Sequence, residues 1–274
     1  MAKKSLIAIL LSCLLFSACR PVSSSYKREN VEAILKNICQ KEFSINEIIV
    51  KEIKDTFWIY LPLKKFVVAK GKLDPEAKNK ISHIFLALRR TILSMQNPPK
   101  FYAFAISDIT YGYDYIEIGY VDDLRKLEMF YISRNQLLER TVRIIRWDEN
   151  AKGDLQAAHL KMFDIDFPDF LSLLIAQKIR ENLSQGRLAS YYILVSSQGK
   201  FNPDTKTIEI QYSAFKKNEA EKAPSSFQEA LKIAYYFIVK AYDFGGFNYI
   251  EIKNNYSGKS RYLSRKAFWE LRLD

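Results

Sequence analysis

The sequence predicts an α+β protein made of two tandem repeated modules, each an antiparallel sheet with helices packed on one face. Three observations carry this expectation. Runs of β-branched and aromatic residues lie next to one another, separated by short turns. The helical stretches each carry one apolar stripe, which suits packing on a sheet. The chain also repeats itself: Tyr115-Ile-Glu-Ile118 recurs as Tyr249-Ile-Glu-Ile252, and Ser133-Arg134 after Tyr131-Ile132 recurs as Ser264-Arg265 after Tyr262-Leu263. Strict strand–helix–strand alternation is absent, so a doubly wound parallel sheet is the alternative.

In the first module, residues 30–150, Asn30 is placed to cap a helix in which Val31, Ile34, Leu35 and Ile38 recur at helical spacing, ending near Phe43. Ile45 to Ile53 and Thr56 to Leu63, broken by Lys54-Asp55, predict a hairpin. A basic loop through Lys70-Gly71-Lys72 leads to Asp74-Pro75-Glu76, the start of a helix with the face Ile81, Ile84, Phe85, Leu88, Ile92 and Met95. Asn97-Pro98-Pro99 stops it. Strands follow at Phe101 to Ser107 and Tyr113 to Val121, then a polar helical stretch from Asp122 to Met129. Ser133 and Gln136 form a capping box for a helix whose apolar side is Leu137, Leu138, Thr141, Val142 and Ile145.

Trp147 to Gly153 is the expected boundary, and the second module, residues 151–274, opens with a helix from Pro168 to Gln185 closed by Gly186. Strands at Ser190 to Ser197 and Thr207 to Ser213 flank an Asn202-Pro203-Asp204 turn. Ser226 with Glu229 suggests a capped helix running to Tyr242, Gly245-Gly246 breaks it, and a strand from Phe247 to Lys253 precedes the Ser264 helix. Both halves thus read helix, hairpin, helix, strand, helix, with one extra strand in the first. By letters Tyr249 matches Tyr115, and by distance from the preceding helix it matches Phe101. The second alignment is preferred, and under either one the two Ser-Arg helices are expected to correspond, with Leu137 and Leu138 buried where Phe268 and Trp269 are.

Residues 1–18 have the layout of an export signal: Lys3 and Lys4, an apolar run from Leu6 to Phe16, then Ser17 and Ala18 before Cys19. The thirteen residues from Leu6 to Ala18 are fewer than the roughly 20 a membrane-spanning helix needs. The order aliphatic-aliphatic-Phe16-Ser17-Ala18-Cys19 resembles the lipobox of bacterial lipoproteins. That resemblance covers the first nineteen residues only. It implies a diacylglyceryl group on the Cys19 thiol, cleavage before Cys19, and an exported protein held by lipid on the outer side of the cytoplasmic membrane or in the periplasm. More than one acyl chain makes such an anchor stable. Residues 19–29, with Pro21 and Ser23 to Ser25, are expected to be a lipidated tether.

The formal charge of +11 falls to +9 once Lys3 and Lys4 leave with the signal. The surplus is even, with 22 basic against 17 acidic residues in 20–150 and 18 against 14 in 151–274. An even surplus on an exported chain argues against nucleic acid as a partner and leaves a mild attraction to anionic headgroups or an anionic envelope glycan. With Cys13 in the signal and Cys19 acylated, Cys39 has no partner and is expected to be a buried thiol.

No sequence signature of catalysis, cofactor or metal is found. His83 falls opposite the apolar stripe of its helix. Gly258-Lys259-Ser260 suits a polar turn better than a phosphate loop. Asp166 and Asp169 are expected to serve the start of the Pro168 helix, with Asp164 nearby, rather than a cation. Asp122-Asp123 is read in the same way. Arg134 and Arg265 stand beside helix N-termini, where a cation is unfavourable without a partner. They are the candidate anion or ion-pair positions, with Glu117 and Glu251 as expected structural partners. The functional expectation is a lipid-anchored, non-catalytic binding or assembly module whose partner is an envelope protein or an anionic glycan. The alternative is an exported cell-wall hydrolase whose acids come from separate loops. The aromatic residues are expected chiefly to pack in the core, and tyrosines on an outer sheet face beside lysines would suit sugar stacking or a protein interface.

Overall fold

Thr56 to Leu63 and Phe101 to Asp108 are near-continuous apolar runs, and each forms a strand with every residue buried. Such strands need cover on both faces, and they pair with each other in parallel at the centre of the first sheet. The computed structural model describes residues 26–68, 72–217 and 223–271. The expected signal, Cys19 and the tether up to Ser25 lie outside the described residues, as do Lys70 and Gly71 of the basic loop.

The first module begins with α1 (Val31–Phe43), then β1 (Ile49–Ile53) and β2 (Thr56–Leu63) as a hairpin around Lys54, whose positive φ suits the tight turn. A small ribbon of β3 (Val67–Val68) and β4 (Lys72–Leu73) precedes α2 (Pro75–Leu93). Asp74 caps α2 by accepting from the Glu76 and Ala77 N–H groups, as its sequence start requires. Then come β5 (Phe101–Asp108), β6 (Tyr113–Tyr120), α3 (Val121–Glu128), α4 (Arg134–Glu139) and β7 (Val142–Trp147). The strand order is β1-β2-β5-β6-β7.

The second module runs α5 (Phe167–Ser184), β8 (Tyr192–Asn202), β9 (Thr207–Lys216), α6 (Ser226–Tyr235) with a π-helical continuation Tyr236–Ala241, β10 (Tyr249–Asn254), β11 (Ser260–Ser264) and α7 (Arg265–Trp269). Its sheet order is β11-β10-β9-β8. The fold is α+β with two sheet modules. In each, a helix, a hairpin, a crossover helix and a second hairpin follow one path. The crossover returns its strand parallel to the hairpin strand before it, β2 with β5 and β9 with β10, so both sheets are mixed.

That path aligns β10 with β5, as topology rather than spelling indicated. It also corrects two expectations. Arg261-Tyr262-Leu263 is too short a run to stand out, yet Ser260–Ser264 pairs antiparallel with β10 around the positive-φ turn residue Gly258, so the second half has this strand as well. The Ser-Arg helices do not correspond. The Ser264-capped α7 follows β11 as α3 follows β6, whereas the Ser133-capped α4 belongs to an extension that ends in β7. The capping box at Ser133 is present, but α4 stops at Glu139 because Thr141, Val142, Ile144 and Ile145 are β-branched, and the chain from Val142 becomes β7 instead of continuing the helix. Leu137 and Phe268 are buried, while Leu138 and Trp269 are exposed. The cap of α6 falls on Ser225, one residue earlier than expected.

The layers are α1/α2, first sheet, α5/α6, second sheet. One face of the first sheet, with Phe57, Ile59, Leu61, Phe104 and Ile106, packs on α1 and α2. Its other face, with Trp58, Tyr60, Phe101 and Ala103, joins Phe170, Leu171 and Leu174 of α5 and Ile208, Ile210 and Ile250 of the second sheet in one cluster. Close backbone approach seats α5 on β8: a Cβ at Gly199 would lie 2.0 Å from the Ser172 carbonyl oxygen. The outer face of the second sheet carries Tyr249 stacked on Tyr262 at 4.9 Å, with Glu209, Gln211 and Lys253.

Candidate functional site

The first strong polar cluster is buried where the connecting segment crosses the first sheet. Asp114 of β6 accepts from Ser107 Oγ (2.5 Å) and Arg146 Nε (2.9 Å), and its Oδ1 lies 3.1 Å from His159 Nε2. His159 Nδ1 is 2.5 Å from Asp154 Oδ2, and Tyr60 donates to the Asp154 carbonyl. Burial raises the Asp154 carboxyl, but hydrogen bonds from the His159 ring and N–H and from the Gln156 N–H outweigh it and hold the group below the usual range. Burial pushes the Tyr60 phenol up to about 12. A serine, a histidine and an aspartate in line suggest a nucleophile and its base. Here the imidazole Nε2 is shared with Asp114 at 3.1 Å and lies 3.5 Å from Ser107, and Ser107, Asp114 and His159 are sealed from solvent. The cluster latches the connecting segment onto the sheet. Asp164 extends the latch by accepting from the Asp55 N–H and Thr56 Oγ1. No sequence motif announces it, because its parts come from β2, β5, β6, β7 and the connector.

The second cluster is open. A cavity of about 900 Å³ lies between the edge strand β7 and helices α5 and α6, lined among others by Arg143, Ile145, Glu181, Ile233 and Phe237. A second, of about 500 Å³, lies between α2, β6 and α4 and shares Tyr115 and Leu138 with the first. Together they form one groove along the side of the molecule. Arg143 Nη2 is 2.9 Å from Glu181 Oε1, and Lys178 Nζ is 2.7 Å from its other oxygen. Burial raises the Glu181 carboxyl, yet Lys178, Arg143 and Gln177 more than offset this and hold it low. Glu117, at the inner end of the groove, accepts from the Tyr115 hydroxyl at 3.1 Å, and burial leaves its carboxyl above the ordinary range despite Tyr115 and Arg143.

β7 presents its backbone to this groove. The Arg143 N–H points away from β6 and donates to Gln177 Oε1, whose Nε2 donates to the Thr141 carbonyl. Alternation along the strand turns the Ile145 N–H and carbonyl the same way, and among the described residues no strand pairs with β7 beyond β6. Ile145 and Trp147 are exposed on this edge.

Arg134 is exposed at the lip of the smaller cavity and forms no ion pair among the described residues; the expected partner Glu117 lines the same cavity. Arg265 donates to the Gly245 carbonyl instead of to Glu251. The two arginines therefore share neither a partner nor a site. Among the described residues no group of three or more His, Cys, Asp or Glu side chains is arranged to hold a metal ion. Asp166 caps α5 through the Asp169 N–H, and Asp169 accepts from the Phe201 N–H. Asp123 is buried against Arg140 (2.9 Å) and the Tyr242 hydroxyl (2.7 Å), tying the two modules together. His83 is exposed and stacks on Phe43, and Cys39 is free and buried, its thiol pushed up to about 11 by burial and by Glu42. Comparison with protein families, with characterised proteins and with solved structures finds no match to this chain.

Proposed function

We propose that this protein is an exported, lipid-anchored component of the cell envelope, attached through Cys19, that acts as a non-catalytic binding or assembly module. Its partner is an extended segment of another envelope protein, seated in the groove between the modules. The observation that carries this reading is the open edge of β7. An edge strand with an outward N–H and carbonyl beside a partly apolar trough suits strand addition, in which main-chain bonds give affinity and side-chain pockets give specificity. The charged groups of the trough are already paired with one another in the Arg143, Glu181 and Lys178 set, which favours recognition over proton transfer.

Photocrosslinking in cells from a benzoylphenylalanine at position 138, read in the otherwise wild-type chain and with Ile145→Pro, tests the groove. The Ile145 N–H is not used by β6, so proline removes the donor while leaving the sheet pairing in place. Labelling with a clickable fatty acid tests the anchor, with incorporation expected in the wild type and not in Cys19→Ala.

A second reading has its own observation. Glu117 held high and Glu181 held low, both influenced by Arg143, resemble the divided acid and base of a hydrolase. Envelope-polymer turnover that disappears in both Glu117→Gln and Glu181→Gln, with binding retained, would favour it.

A further inference from the structure

Phe130 and Tyr131 are the two most exposed large apolar side chains among the described residues, at 94% and 75%, and Met129 beside them is 63% exposed. They form the tip between α3 and α4. The α3 helix ends with the Tyr131 N–H donating to the Lys126 carbonyl (2.8 Å) and the Phe130 N–H to the Leu127 carbonyl (3.1 Å). This closure places its residue in the left-handed region, where glycine is usual, and Phe130 sits there at φ +59°. A phenylalanine there gains nothing from packing and carries backbone strain. Arg125 on α3 and exposed Arg134 on α4 flank the tip without an ion-pair partner among the described residues; Lys126 pairs with Asp122, and Arg89 with Glu128.

The described chain begins beside this tip. Tyr26 bridges Met95, its N–H donates to the Ser94 carbonyl, and Tyr26, Arg89, Arg90 and Glu128 line one cavity of about 300 Å³. Glu128 directly precedes Met129. Six residues separate Cys19 from Tyr26, and the seven Cα-to-Cα steps reach at most about 25 Å. A lipid on Cys19 therefore puts the bilayer at this end of the molecule, with the aromatic tip toward it.

We propose that Met129-Phe130-Tyr131 is a second membrane contact, lodging its side chains at the headgroup boundary of the bilayer that holds the Cys19 lipid. This rests on the lipid-anchor reading. Aromatic rings favour that boundary, neighbouring arginines favour anionic headgroups, and a second contact fixes the orientation that a lipid alone leaves free.

The test uses the full lipidated protein in phosphatidylethanolamine–phosphatidylglycerol vesicles. Phe130→Cys, Tyr131→Cys and Val195→Cys variants each carry an environment-sensitive fluorophore, and acyl quenchers are placed in the bilayer. Val195 is an exposed control on β8, and Tyr131→Cys keeps the Phe130 ring. Blue-shifted, quenched emission from 130 and 131 but not from 195 is expected. Solvent-like emission at 130 and 131 with the fatty acid present on Cys19 overturns the contact and leaves the anchor standing. Quenching at 130 and 131 without fatty acid on Cys19 supports the contact and removes the anchor. Emission that shifts only with cell extract, and not with vesicles, assigns the tip to a protein partner and overturns the proposal.

Discussion

The two sheets follow the same path and differ in their cover. The first is buried on both faces, by α1 and α2 on one side and by the second module on the other; the second presents its outer face to solvent. The difference is written in the strands. β2 and β5 are near-continuously apolar, whereas β9 and β10 alternate, with Ile208, Ile210 and Tyr212 of β9 inward and Glu209, Gln211 and Ser213 outward. One topology thus occupies two layers, and hydrophobic periodicity rather than fold decides which.

Neighbouring truncations break or sharpen this contrast. Trp58→Ala and Ile59→Ala, on opposite faces of β2, should each cost about 3–5 kcal/mol by denaturant unfolding. On β9, Ile210→Ala should cost about 2–4 kcal/mol and Gln211→Ala less than about 0.5 kcal/mol. Equal costs along β9 would mean its outer face is covered.

The contact between the layers is tested by His159→Ala. It leaves buried Asp114 with one neighbour fewer and unlatches the connector, an expected loss of about 3–5 kcal/mol. A neutral result would remove the latch.

Two carboxyls, Asp154 on the connector and Glu117 on β6, should also oppose each other in pH dependence. Asp154 is held low in the folded state, so its contribution is present above the ordinary aspartate value near 4 and is lost as pH falls through the depressed one. Asp154→Asn should therefore cost about 1–3 kcal/mol at pH 7 and progressively less in acid. Glu117 is held high, so its ionisation weakens the fold as pH rises past the ordinary glutamate value near 4.3. Glu117→Gln should stabilise the protein at neutral pH and have no such effect below about pH 4. Urea midpoints of both variants across that range check the two signs.

A small effect of opposite sign belongs to the exposed tip. Phe130→Gly should stabilise the fold by about 0.5–1 kcal/mol, since relief of left-handed strain exceeds the entropy glycine adds to the unfolded chain. A destabilised variant would show that the ring packs after all.

Much of the architecture was legible because local signals agreed with it: the Asp74-Pro75 helix start, the Lys54 turn, the Ser133 capping box and the Asn202 turn all appear where the sequence places them. The parallel strand pairs were not, since a strand's apolar run does not encode its neighbour's direction. β7 was absorbed into a helix because Leu137, Leu138, Thr141 and Ile145 fit helical spacing, and only the β-branched run argued otherwise. The matched Ser-Arg pairs misled because identical letters cap helices at two different points of the path. The groove left almost no trace. Arg143 and Glu181 are 38 residues apart, Glu117 lies on a different strand from Arg143, and only strand pairing and helix packing bring the three together.

The groove at β7 is tested most directly by the crosslink from position 138 in cells. A discrete adduct in the otherwise wild-type chain that falls about ten-fold with Ile145→Pro, at unchanged thermal stability, is the predicted result, because a lost main-chain bond to the bound strand is worth about 1.4 kcal/mol. An adduct of equal yield in both chains, or none at 138 but one from position 195 on the second sheet, would contradict strand addition at β7.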